Sequence, residues 1–283
     1  TVKSTGTKDG EWLTHPAFTF GTTELNGIWV GKFENSNGTL TNSNKEITPD
    51  TKEAIMKIQK MGHTVVLASG RPTPGVEPLA EELKLDKFGG YILSYNGGMI
   101  KECKTGEVVY QQTLPKEIVP KLFDMADELN IGLASYDSDG IVANDNRNKY
   151  IELESRINKL PIQYRKDVAE YIDFPVNKCL GTADPEIAPK KEEAIKEKFG
   201  DVLNVSRSEP FFIEITPKGI DKAASLEKFC EITGNKRENM IACGDGFNDI
   251  SMIEYAGIGV AMANAQPEVK EVADFITTSN DED

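Results

Sequence analysis

Two carboxylates lie four residues apart in the run Gly244-Asp-Gly-Phe-Asn-Asp249, directly after an apolar stretch. Asp245 and Asp249 suit a hard cation such as Mg²⁺, because this ion prefers oxygen ligands. The run Ser69-Gly-Arg71 offers a hydroxyl and backbone N–H groups that could hold a phosphate. Lys222 begins a predicted helix, where a cation opposes the helix dipole unless an anion is bound nearby. These residue types predict a site for a divalent cation and a phosphate.

A fourth polar run, Asn35-Ser-Asn-Gly-Thr39, follows a strand-like stretch at Ile28-Trp-Val30. Each of the four features also has an ordinary structural explanation, since Asp-Gly and Asn-Gly are common in turns and a surface lysine is often simply solvated. Their shared position, after a predicted strand or at the start of a predicted helix, favours one common site.

Strand and helix patterns alternate on both sides of these runs. The early half reads as a helix from residue 49, a strand over residues 63–68, a helix through residue 83 and a strand over residues 91–94. The late half reads as helices over residues 221–232 and 249–255, with strands over residues 239–243, 258–261 and 275–277. This alternation predicts an α/β fold, a parallel sheet covered by helices on both faces.

The stretch between these halves has strand-like runs such as residues 108–112 and 211–215, with few helices. That pattern is typical of an antiparallel α+β domain inserted into the first domain. We therefore predict three regions, which are an atypical segment (residues 1–27), a split core (residues 28–98 and 218–283) and an insert (residues 99–217).

The charge and the apolar and cysteine content of the chain bear on its partners and its location. Lys and Arg total 32 and Asp and Glu total 46, a formal net charge of −14, so we expect no nucleic acid and no anionic membrane as partner. No apolar run approaches the ~20 residues that span a bilayer, and the first residues lack the apolar core of a signal peptide. The four cysteines are widely separated, which favours reduced thiols and a cytoplasmic location.

Five motifs span most of the chain: Gly38-Thr-Leu-Thr-Asn-Ser43, Ala68-Ser-Gly-Arg-Pro72, Ser94-Tyr-Asn-Gly-Gly98, Gly219-Ile-Asp-Lys-Ala-Ala-Ser225 and Cys243-Gly-Asp-Gly-Phe-Asn-Asp-Ile-Ser-Met252. In this order they resemble the haloacid dehalogenase (HAD) superfamily, and within it the Cof-type phosphatases with a large inserted cap. The resemblance implies a Rossmann-like core and Mg²⁺-dependent hydrolysis of small phosphorylated metabolites, with sugar phosphates as the expected class. It also implies a cap that closes over the site and selects the leaving group.

The resemblance assigns roles to single residues. It implies phosphate binding by Ser69, Gly70, Lys222 and Asn248, and Mg²⁺ binding by Asp245 and Asp249. Lys222 is also implied to take part in catalysis.

In the family a first aspartate attacks phosphorus, and a second, two residues on, protonates the leaving group and then activates water. The corresponding positions, which also belong to the metal site, hold Asn35 and Asn37. An amide is a poor nucleophile and does not shuttle protons, so the expected loss of activity is about 10⁴- to 10⁶-fold. The chain is therefore either a phosphatase that needs carboxylates at these positions or a phosphate-binding pseudoenzyme. A phosphotransferase or mutase on the same fold is a third, weaker alternative.

Overall fold

The computed structural model describes the backbone of residues 28–32 and the whole of residues 38–282. The chain divides into two compact units. The first ends at Tyr110 and resumes at Asp221, and the second spans Gln111–Ile220. The predicted insert over residues 99–217 begins earlier than the second unit, because the strands Met99–Glu102 and Val108–Gln111 extend the sheet of the first unit.

Strands and helices follow one another along the whole described chain. The strands are β1 (Ile28–Lys32), β2 (Thr64–Ala68), β3 (Tyr91–Ser94), β4 (Met99–Glu102), β5 (Val108–Gln111), β6 (Gly132–Tyr136), β7 (Ile141–Asn144), β8 (Ile162–Arg165), β9 (Cys179–Thr182), β10 (Leu203–Glu209), β11 (Phe212–Pro217), β12 (Met240–Gly244), β13 (Ile258–Ala261) and β14 (Phe275–Ile276). The helices are α1 (Pro49–Lys60), α2 (Thr73–Glu82), α3 (Leu85–Phe88), α4 (Val119–Glu128), α5 (Lys149–Asn158), α6 (Val168–Tyr171), α7 (Ala188–Phe199), α8 (Lys222–Thr233), α9 (Ile250–Tyr255) and α10 (Pro267–Val272). Short 3₁₀ turns cover Tyr95–Gly97, Arg237–Asn239 and Phe247–Asp249.

The sheet of the first unit has the strand order β14-β13-β12-β1-β2-β3-β4-β5. The strands from β14 to β3 are parallel, and β4 is antiparallel to β3. β1 is central and pairs with both β12 and β2, continuing through Gly31 and Lys32 beyond the strand-like stretch at Ile28-Trp-Val30. The ladder bonds come from the backbone, so a polar residue type does not end the strand.

Alternation along β2 divides its side chains between the two faces of the sheet. Val66 and Ala68 join a buried cluster with residues of α8, α9 and α10. Val65 and Leu67 join a second cluster with residues of α1, α2 and α3. Burial of each Val or Leu side chain contributes about 1.5–3 kcal/mol. The Rossmann-like α/β class predicted from the sequence is therefore confirmed.

Helix α8 begins at a residue that matters for the site. The Asp221 side chain accepts a hydrogen bond from the Ala224 N–H at 2.9 Å and so caps the helix. Gly234, with a φ of +72°, ends it in the left-handed conformation that glycine adopts readily. Lys222 is consequently the first residue of the helix.

The second unit is a six-stranded sheet in the order β10-β11-β9-β6-β7-β8, antiparallel except between β7 and β8. Its larger apolar cluster joins the sheet to α4, α6 and α7. Tyr150 of α5 forms a smaller apolar cluster with Leu180 and Phe212. The antiparallel α+β character expected for the middle of the chain is present in this unit.

The described residues, 28–32 and 38–282, contain no helix whose length and apolar character would let it cross a bilayer. All four cysteines are free thiols. Burial raises the pKa of both Cys179 and Cys243 to about 12, so both are protonated at neutral pH. Cys243, in β12, is therefore a poor nucleophile at neutral pH.

Candidate phosphate and metal site

The loops that follow β2, β3, β12 and β13 lie at the same edge of the first unit's sheet, because these strands are parallel. We call this the carboxyl edge. Ser69 directly follows β2, and Asp245 directly follows β12. Open parallel sheets bind their ligands at such edges.

Lys222 and Asp249 form a fully buried ion pair at this edge. Lys222 Nζ donates to Asp249 Oδ1 at 2.7 Å, and both side chains have a relative exposure of 0%. Removing two charges from water is costly, and a good partner offsets that cost only in part. Phosphate binding by Lys222 stays a prediction, and the structure places its ammonium group against Asp249 at this edge.

The second oxygen of Asp249 organises the loop after β12. Asp249 Oδ2 accepts from the N–H groups of Asp245 and Gly246, both at 2.9 Å. Gly244 is required beside it, since a Cβ at that position would lie 2.5 Å from the Asp249 Cβ. Because these bonds engage both oxygens of Asp249, they give it a positioning role, and its predicted role as a direct metal ligand stays a prediction.

Ser69 and Gly70 lie buried where β2 ends. The Ser69 N–H donates to the Leu93 carbonyl at 2.8 Å, and the Ser69 carbonyl accepts from the Asn96 N–H at 2.9 Å. The Ser69 hydroxyl accepts from the Arg71 N–H at 3.1 Å. The hydroxyl is thus held in a fixed place at the carboxyl edge.

A short turn after β3 connects Ser69 to the loop that follows β12. Asn248 Nδ2 donates to Asn96 Oδ1 at 3.0 Å. Tyr95 and Asn96 have φ values of +54° and +56°, an uncommon conformation for residues other than glycine. Backbone strain of this kind persists only where the surroundings enforce it. Asn248 therefore lies in one hydrogen-bonded chain with Asn96 and Ser69.

Asp245 contacts a residue of the first motif. Thr39 Oγ1 donates to Asp245 Oδ1 at 3.0 Å, across 206 positions of sequence. Asp245 is only 4% exposed. A nearly buried carboxylate with a hydroxyl partner is an oxygen-donor group of the kind that Mg²⁺ binds.

Lys45 adds positive charge near Asp245. Burial lowers the pKa of Lys45, because it removes water from the ammonium group, and the nearby Arg71 guanidinium lowers it further. The Asp245 and Asp281 carboxylates act in the opposite direction and raise this pKa. Lys45 therefore has both a cation and two carboxylates around it at this edge.

Asn35 and Asn37 lie outside the described residues, and their predicted places in the site stay predictions. Among the described residues no group of three or more His, Cys, Asp or Glu side chains could hold a metal ion. Mg²⁺ is commonly bound through one or two carboxylates, with water and substrate phosphate as further ligands. Asp245 at the carboxyl edge fits that requirement.

Several residues of this arrangement were not identified from the sequence as site residues. Thr39 and Asn96 were parts of motifs without an assigned role. Ser225, whose hydroxyl donates to the Gly97 carbonyl at 2.7 Å, was part of a motif only. Its position one helical turn after Lys222, on the same side of α8, is the signal that could have identified it.

Comparison with known proteins identifies the class of this fold and site. The family model described as haloacid dehalogenase-like hydrolase matches residues 37–283. The chain belongs to this family, and by its relatives it is a HAD-type phosphatase of the Cof type.

Individual relatives cover nearly the whole chain. A crystal structure of a haloacid dehalogenase-like hydrolase from Bacteroides thetaiotaomicron is 45% identical, with a TM-score of 0.87, covering 91% of this chain and 96% of that one. YxeH of Bacillus subtilis, provisionally named a phosphatase, is 32% identical to this chain. The matched region covers 87% of this chain and 91% of YxeH. The 5-amino-6-(5-phospho-D-ribitylamino)uracil phosphatase YcsE of Bacillus subtilis is 32% identical, with coverage of 87% and 88%.

Proposed function

We propose that this protein hydrolyses small phosphorylated metabolites, sugar phosphates in particular, in a reaction that depends on Mg²⁺. The observation that carries the proposal is the buried Lys222–Asp249 pair at the carboxyl edge. A lysine ammonium has three donors and neutralises charge on phosphoryl oxygens. Ser69 supports this role, because its hydroxyl lies at the same carboxyl edge, where it accepts a bond from the Arg71 N–H at 3.1 Å.

Asp245 would hold Mg²⁺, and the resemblance adds Asp249 and positions 35 and 37 to the proposed metal site. When bound, Mg²⁺ offsets the repulsion between phosphoryl oxygens and an attacking carboxylate. Lys222, Ser69, Gly70 and Asn248 would bind the phosphoryl group. Asp249 would keep Lys222 in place through its bond of 2.7 Å.

Hydrolysis by this route needs carboxylates at positions 35 and 37. A carboxylate oxygen at position 35 attacks phosphorus, and the ester P–O bond breaks as a carboxyl group at position 37 protonates the leaving alcohol. Water then attacks the aspartyl-phosphate, giving its proton to the carboxylate at position 37 and releasing phosphate. Deamidation would supply such carboxylates, and the Asn37-Gly38 sequence is chemically suited to it.

The substrate class rests on the relatives and on the second unit. The name of YcsE describes a phosphate ester on a ribityl chain, which is a sugar-alcohol phosphate. We propose the second unit, Gln111–Ile220, as the cap that excludes water and selects the leaving group.

The alternative is a phosphate-binding pseudoenzyme. The two amides at Asn35 and Asn37 favour it directly. Such a protein would keep the Lys222 and Ser69 contacts to phosphate while lacking both the nucleophile and the proton shuttle.

A comparison of the unaltered chain with its Asn35→Asp, Asn37→Asp double variant separates the two. Peptide sequencing across residues 28–45 first establishes which residues are present. With asparagine at both positions, we expect no Mg²⁺-dependent phosphate release from a panel of sugar phosphates. The double variant should gain about 10⁴-fold or more in kcat/KM.

The Asn37→Asp single variant is the matched control, since it restores the proton shuttle but not the nucleophile. Robust turnover by the unaltered chain would exclude the pseudoenzyme. A double variant that stays inactive would contradict the assignment of position 35 as the nucleophile.

A further inference from the structure

The segment after β14 contacts the loop of residues 38–43, which carries the first motif. Asn280 Nδ2 donates to the Thr41 carbonyl at 3.0 Å. The Asp281 carboxylate accepts from the Ser43 N–H at 2.7 Å and from the Ser43 hydroxyl at 2.6 Å. These three bonds join residues almost 240 positions apart.

A second connection runs through the loop after β13. The Asn280 N–H donates to Asn264 Oδ1 at 3.0 Å, and Asn264 Nδ2 approaches the Gly38 carbonyl at 3.4 Å. Gly38, at a φ of +25°, accepts no side chain here, because a Cβ would lie 2.5 Å from the Thr41 carbonyl oxygen. Loop 38–43 is thus bonded at its beginning, middle and end.

The bonds of Asn280 and Asp281 are not part of the pairing of β14 in the sheet. β14 pairs with β13 at only two positions, Val260 with Phe275 and Ala261 with Ile276. The bonds of Asn280 and Asp281 are instead made to a loop that belongs to no strand. Asn280 is 7% exposed, so its amide group is fixed by burial as well as by hydrogen bonds.

The loop held in this way carries Thr39, which donates to Asp245 Oδ1 at 3.0 Å. Thr39 lies between Gly38 and Thr41, the two residues whose carbonyls are held by Asn264 and Asn280. Release of either carbonyl would let Thr39 move away from Asp245. Such an outer contact orients a metal-binding carboxylate.

We propose that Asn280 and Asp281 are positioning residues, which hold loop 38–43 so that Thr39 orients the Asp245 carboxylate for metal binding. This inference rests on the proposed function in one respect only, the role of Asp245 as a Mg²⁺ ligand. Neither residue touches the reacting atoms.

The test uses three variants made in the full chain that carries Asn35→Asp and Asn37→Asp. Asn280→Asp keeps the size of the side chain but turns its donor into an acceptor facing the Thr41 carbonyl. Asp281→Asn, at an exposed position, is a milder change that weakens the bonds to Ser43. Glu282→Gln is the matched control, since it removes the same charge from the next, exposed residue.

Two measurements are made on each protein, amide hydrogen exchange over residues 38–43 and Mg²⁺ binding by titration calorimetry. Asn280→Asp and Asp281→Asn should speed exchange of the Ser43 amide about tenfold. Both should weaken Mg²⁺ binding about tenfold, in line with the loss of an outer contact. Glu282→Gln should change neither quantity.

Unchanged exchange in the two variants would overturn the proposal, and so would faster exchange with unchanged Mg²⁺ affinity. Melting curves identify a variant that has failed to fold, and the exposed Asp281→Asn variant then decides the question. A parent protein that binds no Mg²⁺ would instead refute the proposed metal site, a failure visible before any substitution is compared.

Discussion

The two edges of the core sheet are built from the same strands but closed in different ways. At the opposite edge, where the parallel strands begin and which we call the amino edge, local backbone bonds hold the connection from α1 to β2. The Gly62 N–H donates to the Gln59 carbonyl at 3.0 Å, and the His63 N–H donates to the Ile58 carbonyl at 3.2 Å. At the carboxyl edge, side chains join distant segments, as in the bond from Asn248 to Asn96 across 152 positions. The buried charges of Lys222 and Asp249 lie at the carboxyl edge.

The two edges therefore differ in the polar groups that they use, backbone groups at the amino edge and side chains at the carboxyl edge. A connection that only reverses the chain needs a glycine and a few backbone bonds. A binding site contains buried polar groups, and each of them needs a hydrogen-bond partner. A buried polar group without such a partner costs about 1–3 kcal/mol. Substitutions paired across the two edges should therefore separate binding from stability.

The largest effect is expected for Lys222→Met. It removes the cation that we propose binds phosphate and leaves the buried Asp249 carboxylate without its lysine partner. We expect phosphate affinity to fall about 100-fold or more and the free energy of unfolding to fall by about 3–5 kcal/mol. Titration calorimetry with inorganic phosphate and Mg²⁺, together with urea unfolding, measures both.

Lys228→Met is the matched control for that change. Lys228 lies on the same helix, is 46% exposed and pairs with Glu231 at 2.7 Å. An exposed pair of this kind contributes at most about 1 kcal/mol, and phosphate affinity should be unaltered. Equal losses in both variants would show that the charge of α8 as a whole, and not Lys222, binds phosphate.

A smaller effect is expected for Gly97→Ala. A Cβ there would collide with the Ser225 side chain and lie 2.9 Å from the Asp221 carbonyl oxygen, at a φ of +100°. Overpacking and backbone strain together should cost about 3 kcal/mol in the free energy of unfolding. Because the turn carries Asn96, phosphate affinity should fall as well.

Gly62→Ala tests the same substitution at the amino edge. Gly62 also has a positive φ, of +92°, but a Cβ would meet nothing within 4 Å. The cost should be about 1 kcal/mol from strain alone, with phosphate affinity unchanged. A Gly97→Ala protein as stable as Gly62→Ala would mean that α8 and the turn move apart without cost.

The smallest effect on stability is expected for Thr39→Val. It removes the hydrogen bond to Asp245 and should cost about 1 kcal/mol. In the chain with Asn35→Asp and Asn37→Asp, Mg²⁺ affinity should fall about tenfold. Gln59→Leu removes a comparable bond near the amino edge, to the Leu83 carbonyl at 2.9 Å, and should leave Mg²⁺ affinity unchanged.

The pattern of residues along the chain was enough to predict the class of fold, which the structure confirms. The pattern over residues 91–94 and 258–261 predicted β3 and β13 at their observed bounds, because buried parallel strands are short, apolar and bounded by turn residues. It missed the membership of β4 and β5 in the core sheet, since an antiparallel pair at a sheet edge looks the same in sequence as a pair in an inserted domain.

The pairing of polar residues from distant segments became visible only in the folded chain. The spacing of Asp249 to Asp245 predicts a metal ligand, and that role stays a prediction. The structure adds that the two oxygens of Asp249 accept bonds from Lys222 and from two backbone N–H groups. Asn280 and Asp281 carried no signal, because their partners, Thr41 and Ser43, lie at the other end of the chain. Spacing along a chain specifies local geometry, whereas a contact between distant segments exists only once the strands that carry them have been placed side by side.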